Sequence, residues 1–347
     1  AVEGMKYFGM SAAGVIGEII RNRDLQNVLA GSALLYGGLK EVSTFYQHAM
    51  INNSYIEGAY RFVDGSMQVS LELINVIRAN GGTVLNESEV TRIFVENEKV
   101  QGVEINGEER IESGYVISNV HPQRTLALLD KSRSIKNAYI SRINSLENTY
   151  GIFTLYLIMK PGSYAYQNRN LYLHGYNDVW YDRKNYPGHV TNCMISMQAS
   201  SVDEMHADVI SILTPMYIDE LAEWKDTLPG RRGEAYKLFK QEKTRQILEF
   251  IRQHGIEFGD AIETMYSTTP LSYRDYTGTT NGSAYGIIKP YKCPQIGFVS
   301  TRTKLGNLFL TGQNLNVHGA LGVTLTAMIT CAEFLGQEYL AKKVGNA

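Results

Sequence analysis

Asn307–Thr330 reads NLFLTGQNLNVHGALGVTLTAMIT. Leu308-Phe309-Leu310 has the length and apolarity of a short buried strand, and Thr311-Gly312 stops it. Gly319-Ala320-Leu321-Gly322 then leads into an apolar, helix-compatible run from Val323 to Leu335. Strand, glycine turn, helix is one way to bring an anion to a helix N-terminus. Glycine admits close backbone approach, and first-turn N–H groups lack internal partners. On these residues alone it is equally an ordinary strand–loop–helix with two loop glycines.

A second block runs from Gly58 to Leu129. Val69, Leu71, Leu73, Ile74, Val76 and Ile77 form an apolar stripe near helical spacing, and Asn80-Gly81-Gly82 supplies a C-cap and turn. Val90–Val95 and Val100–Ile105 alternate like half-buried strands around a polar turn at Glu96–Lys99. Asn106-Gly107 signals a hairpin into Glu108–Ile117.

TGQNLNVHGALG resembles the C-terminal FAD signature of the phytoene desaturase, carotenoid isomerase and retinol saturase group, which are FAD-dependent members of the amine oxidase superfamily. Gly-Gln followed by Gly-x-x-Gly is most similar to the retinol saturase (all-trans-retinol 13,14-reductase) branch. The resemblance implies that Gly312 and Gln313 lie against the FAD pyrophosphate and ribityl region. It also implies that Gly319, Gly322, Val323 and Thr324 open a helix facing the flavin ring. In the second block it implies an adenine contact through the backbone of Val90, and a flavin-proximal loop at Asp64-Gly65-Ser66. Thr268–Ile287, TTPLSYRDYTGTTNGSAYGI, resembles the segment that joins the family's substrate domain to its flavin domain, so Gly282, Ser283 and Tyr285 are expected near the substrate. Without the family, a glycine-rich loop is the simpler reading there.

The implied fold is α/β of a mixed α+β kind. It comprises a partial FAD-binding domain of the amine oxidase type and a mixed-sheet substrate domain with covering helices. The expected segments are 1–57 (helical part of the substrate domain), 58–120 (FAD domain), 121–290 (substrate domain) and 291–347 (FAD domain). Thr149–Met159 and Val190–Gln198 read as strands, with Val209–Leu213 as a third. Tyr164–Tyr186 reads as a loop and Pro229–Gln253 as a charged helix with a solvated face.

A dinucleotide-binding fold normally opens on strand, G-x-G-x-x-G and helix. No such motif occurs. The run Gly9–Gly17 lacks the spacing and the preceding strand, and Gly230-Arg-Arg-Gly233 is not followed by the Lys-Ser/Thr of a P-loop. The expectation is that the FAD-binding βαβ lies outside this sequence. FAD affinity would then fall, and exposed sheet edges and apolar surface would invite self-association into a homo-oligomer.

The 347 residues suggest two domains, and 44% hydrophobic with 20% charged residues suits a globular chain with real cores. A net charge of −2 gives no basis for nucleic-acid binding. The 23 tyrosines read as biased composition rather than a lined pocket. Cys193, Cys293 and Cys331 are isolated, which argues against a disulfide framework or a metal site. No run reaches transmembrane length. The expected location is cytoplasmic. The inner face of the membrane is the surface a polyene enzyme would meet, although no basic amphipathic helix marks such a contact.

The resemblance implies an FAD-dependent oxidoreductase that saturates or desaturates carbon–carbon double bonds of an apolar polyene or isoprenoid. The alternatives are a flavin-dependent carotenoid cis–trans isomerase and an inert fragment that only self-associates. His318, beside Gly319, is the candidate acid–base residue, although loop histidines more often face solvent. His121, preceding Pro122, reads as structural.

Overall fold

The computed structural model describes residues 6–176, 178–181 and 188–345. Of the loop expected at 164–186, residues 177 and 182–186 therefore lie outside the described residues. The strands in chain order are β1 (Val90–Glu96), β2 (Lys99–Ile105), β3 (Glu109–Glu112), β4 (Val116–Ser118), β5 (Gly151–Met159), β6 (Leu171–His174), β7 (Asn192–Met197), β8 (Val209–Met216), β9 (Ile262–Thr268) and β10 (Leu308–Leu310). The chain divides into two compact units, Ala1–Val84 with Tyr150–Ser272, and Leu85–Thr149 with Tyr273–Ala347. The segment read as 58–120 is thus shared between them, and 121–149 and 273–290 fall with the second.

The first unit is built on an antiparallel sheet of order β6-β7-β8-β5-β9. Between β8 and β9 runs β5, whose sequence GIFTLYLIM is almost continuously apolar and is buried on both faces. The helix Gly233–Gln253 lays Tyr236, Ile247, Phe250 and Ile251 against this core. Its outer face carries Glu242–Arg245 and Glu249–Arg252 pairs, three residues apart, each at 2.7 Å. Leading helices start on Ser11, Asn22 and Thr44, whose side chains accept from the N–H groups of Gly14, Leu25 and Gln47. The stripe read in Met67–Ala79 does sit on a helix. Yet no residue of that helix is buried, and Leu71 and Leu73 are 51% and 61% exposed.

In the second unit β1, β2 and β3 form an antiparallel meander. The β1–β2 turn uses Asn97 and Glu98, both left-handed, and Asn106-Gly107 makes the next turn in the same way. The strand expected over Glu108–Ile117 is not continuous. β3 ends at Glu112, and the chain leaves the meander so that β4 pairs in parallel with β10, Val116 opposite Leu308. Asn307 makes this junction: its side-chain amide accepts from Val100 N–H and donates to the carbonyls of Val100 and Gly114. Two apolar clusters fill the unit, one around Ile93, Val100, Leu128 and Leu308, the other around Ile143, Ile287, Val299, Leu310 and Leu315.

Strands β6 and β9 were not legible, nor was the helix Pro270–Thr277 in the segment read as a loop. All three mix polar and apolar residues without a clear period. Leu155 in β5 is completely buried. Leu155→Ala is expected to cost roughly 2–5 kcal/mol, read as a shift in the urea-unfolding midpoint at unchanged slope.

Candidate functional site

In the second unit β10 leads through residues 311–318 into the helix Gly319–Leu335. Gly312 has φ +93°, and a Cβ there would stand 1.9 Å from Asn119 Oδ1. Gly322 has ordinary helical φ, but a Cβ would meet the Val317 carbonyl at 2.6 Å. These two glycines are therefore required by packing. Gly319 differs: its φ is +78° and nothing lies within 4 Å of a Cβ position. It is left-handed and faces open space.

The helix that follows is anchored far from its start. Thr330 Oγ1 lies 2.9 Å from the Thr326 carbonyl of its own helix, and within 3.2 Å of the Leu310 carbonyl and 3.1 Å of Thr311 Oγ1, so it sits against the end of β10. Its first turn is bare. The N-cap His318 gives no side-chain cap, Gly319 and Ala320 are exposed, and Leu321 is 56% exposed. Thr324 Oγ1 is committed to the Ala320 carbonyl at 2.8 Å. The N–H groups of this turn thus form an open, partially positive end without an acidic side chain in the first turn.

The segment before Ile287 packs beside this loop. Gly286 has φ +71°, and a Cβ would lie 2.3 Å from Asn314 Oδ1. Thr149 holds the segment from one side, its hydroxyl accepting from Tyr285 N–H at 3.1 Å and its N–H donating to the Gly286 carbonyl at 2.9 Å. The Tyr285 ring lies against His318, with centroids 4.8 Å apart. Ser283 is fully buried, and its hydroxyl, like Thr279 Oγ1 and Asn314 Oδ1, has no hydrogen-bond partner. Buried polar oxygens are normally paired, so these three stand out in the structure.

Behind this segment sits His121, 1% exposed and N-cap of the helix Pro122–Leu128. Its Nδ1 accepts from Gln123 N–H at 3.2 Å and faces Thr280 Oγ1 at 3.1 Å, while Nε2 meets Asn148 Oδ1 at 2.8 Å. This network assigns the proton to Nε2. Burial, first, and the nearby Lys289 charge hold the imidazole pKa below its usual value.

Tyr285 and His318 are therefore in ring contact, and Gly312, Gln313, Gly319, Gly322, Val323 and Thr324 form one continuous turn in the same unit. Val90 is also there, half-buried at the start of β1 opposite Ile105. Gly282 is buried and left-handed. Gly65 and Ser66 lie in the first unit. Gly65 is left-handed beside Gln198, and Ser66 begins the helix Met67–Ala79 without a side-chain cap. The Asp64 carboxylate that precedes them accepts from Ser201 N–H at 2.8 Å.

Reading the sequence missed Arg61, Asn119 and Lys289. Arg61 donates to Asn168, Asn170, Ser196 and the Met197 carbonyl, which fastens the Asp64–Ser66 loop to the sheet of its own unit. Lys289 carried a signal, a lone charge after Ile287-Ile288.

Gly312→Ala is expected to cost roughly 2–4 kcal/mol, from left-handed strain plus the clash. Adding Asn119→Ala should recover the clash component. Gly319→Ala should cost about 1–2 kcal/mol, from strain alone. Urea unfolding of the four proteins checks the order. His121 is held neutral, so its stabilising contribution is complete above about pH 6.5 and is lost as pH falls through its depressed value. His121→Asn retains a cap and should flatten that part of the acid loss; unfolding midpoints at neutral and mildly acidic pH measure it.

No family model matches the chain. The all-trans-retinol 13,14-reductase of Danio rerio is 24% identical over 95% of this chain, which spans 58% of that relative's length. An oxidoreductase from Methanosarcina mazei superposes over 93% of this chain and 68% of its own, with TM-score 0.58 and 16% identity. A putrescine oxidase variant redesigned in cofactor binding superposes over 98% of this chain and 69% of its own, with TM-score 0.54 and 12% identity. The chain thus has the fold seen in these two oxidoreductases, and along nearly its whole length its sequence is similar to an all-trans-retinol 13,14-reductase.

Proposed function

We propose that this chain functions in an FAD-dependent oxidoreductase that saturates a carbon–carbon double bond of an apolar polyene. The observation that carries the reading is the bare first turn at Gly319–Thr324, in a chain similar over 95% of its length to a retinol 13,14-reductase. The residues present fit one edge of a flavin ring. Gly319 leaves space, Gly312 and Gly322 allow close backbone packing, and the first-turn N–H groups point outward uncapped.

FAD, when bound, supplies the hydride chemistry. The chain's residues supply position and charge. The helix N-terminus favours negative charge on whatever edge faces it. Thr324 holds its hydroxyl on the Ala320 carbonyl, so the backbone N–H groups are the donors on offer. Tyr285 and His318, in ring contact at the mouth of this turn, are the groups placed to hold or release a proton beside it. The backbone of Val90, in the same unit, would contact another part of the cofactor. The substrate is proposed as an apolar polyene, from the similarity to the retinol 13,14-reductase.

Aspartate suits a free helix N-terminus but opposes an anionic ligand edge. Leu321→Asp is therefore expected to fold normally and to weaken FAD binding about tenfold, followed by quenching of flavin fluorescence. With reduced FAD and a polyene alcohol, the product should gain two hydrogens by mass spectrometry. A product of unchanged mass but altered double-bond geometry would favour the isomerase reading. Unquenched fluorescence at saturating FAD would contradict the claim that the Gly319–Thr324 turn holds the cofactor in this chain.

A further inference from the structure

The run Ile287-Ile288-Lys289-Pro290-Tyr291 places a single charge in apolar surroundings. Lys289 Nζ donates to the Asn314 carbonyl at 3.0 Å, to the Leu315 carbonyl at 3.1 Å and to the Gly297 carbonyl. The Phe298 ring lies 5.6 Å away. Among the described residues no carboxylate pairs with it. Two of the three carbonyls belong to the loop that carries Gly312 and Gln313 and ends at Gly319.

We propose that Lys289 is the positioning residue of the 312–319 loop: its three N–H donors hold the Asn314, Leu315 and Gly297 carbonyls together and so fix the approach to the helix N-terminus. The consequence for a cofactor rests on the function proposed above; the clamp itself does not. An ammonium has three donors for three acceptors. A neutral amine has two, and its lone pair would face the third carbonyl. The clamp is therefore complete only when protonated.

The surroundings do little to secure that proton. His121, on the neighbouring helix start, is the titratable group set against Lys289 electrostatically, and when charged it repels. Arg142, from the helix Asn137–Asn144, donates to the Phe298 carbonyl at 3.0 Å and is also positive. Burial without an acid pushes the ammonium pKa down to about 7. The loop is thus held fully below neutrality and loosens above it.

Hydrogen exchange of the cofactor-free chain tests this at about pH 6 and about pH 9, on either side of that value, with rates corrected for intrinsic exchange. Two amides report directly. Val299 N–H donates to the Leu315 carbonyl at 3.3 Å, and Leu315 N–H donates to the Gly312 carbonyl at 3.4 Å. In the unaltered chain their protection should fall about tenfold at the higher pH, while β5 amides stay unchanged. Lys289→Arg keeps charge and donors at both pH values and should abolish the fall. Lys289→Met should be poorly protected at both. Equal protection at both pH values in the unaltered chain, or the same fall in Lys289→Arg, overturns the proposal. If Lys289→Met does not fold, the arginine variant carries the test. FAD affinity separates the two readings: exchange that behaves as stated with unchanged flavin binding in Lys289→Met keeps the clamp and removes the cofactor role of the loop.

Discussion

Everything proposed for this chain depends on how tightly its backbone packs between β10 and the helix that follows. A methyl group at Gly312 would overlap Asn119, one at Gly322 would overlap the Val317 carbonyl, and one at Gly286 would overlap Asn314. Gly322 thus lets the helix start lie directly on the Val317 backbone, while Gly312 and Gly286 make room for the Asn119 and Asn314 side chains. The parallel pair β4–β10 fixes where the turn begins, and Thr330 on the Leu310 carbonyl fixes the helix that receives it. Between those fixed points the first helical turn is left uncovered.

The electrostatics follow from that geometry. A bare helix N-terminus carries partial positive charge, and Lys289 adds a full one behind the loop when protonated. His121 contributes none, because burial and its acceptor role at Nδ1 keep it neutral. A site with this sign and no acid in the first turn suits a ligand edge that gains negative charge. A reduced ring system has that character.

What could be read from the sequence was local. Leu308-Phe309-Leu310 and the run from Val323 each carry their own period, and Gly312 and Gly319 punctuate them, so strand, turn and helix were legible in order. The meander was legible for the same reason, through Asn106-Gly107. The β4–β10 pairing was not, because its partners stand some 190 positions apart and β4 is only three residues long. Asn119 was missed because Gly312, which it packs against, is far along the chain and its neighbours do not announce the contact; Lys289 stood out as a lone charge after Ile287-Ile288, but its carbonyl partners on the 297 and 314–315 segments did not. The Met67–Ala79 stripe shows the converse limit. Its period gave the helix, but period says nothing about what covers it, and its apolar residues are exposed.

The most direct test of the account is a hydrogen-exchange footprint of FAD on this chain, resolved to single amides over 312–324. The account predicts slowed exchange at the first-turn amides Ala320–Val323 on adding FAD, with the first unit's β5–β8 core unaffected. Bound flavin that leaves those amides unchanged would place the ligand elsewhere and contradict the claim that this helix N-terminus is the cofactor site.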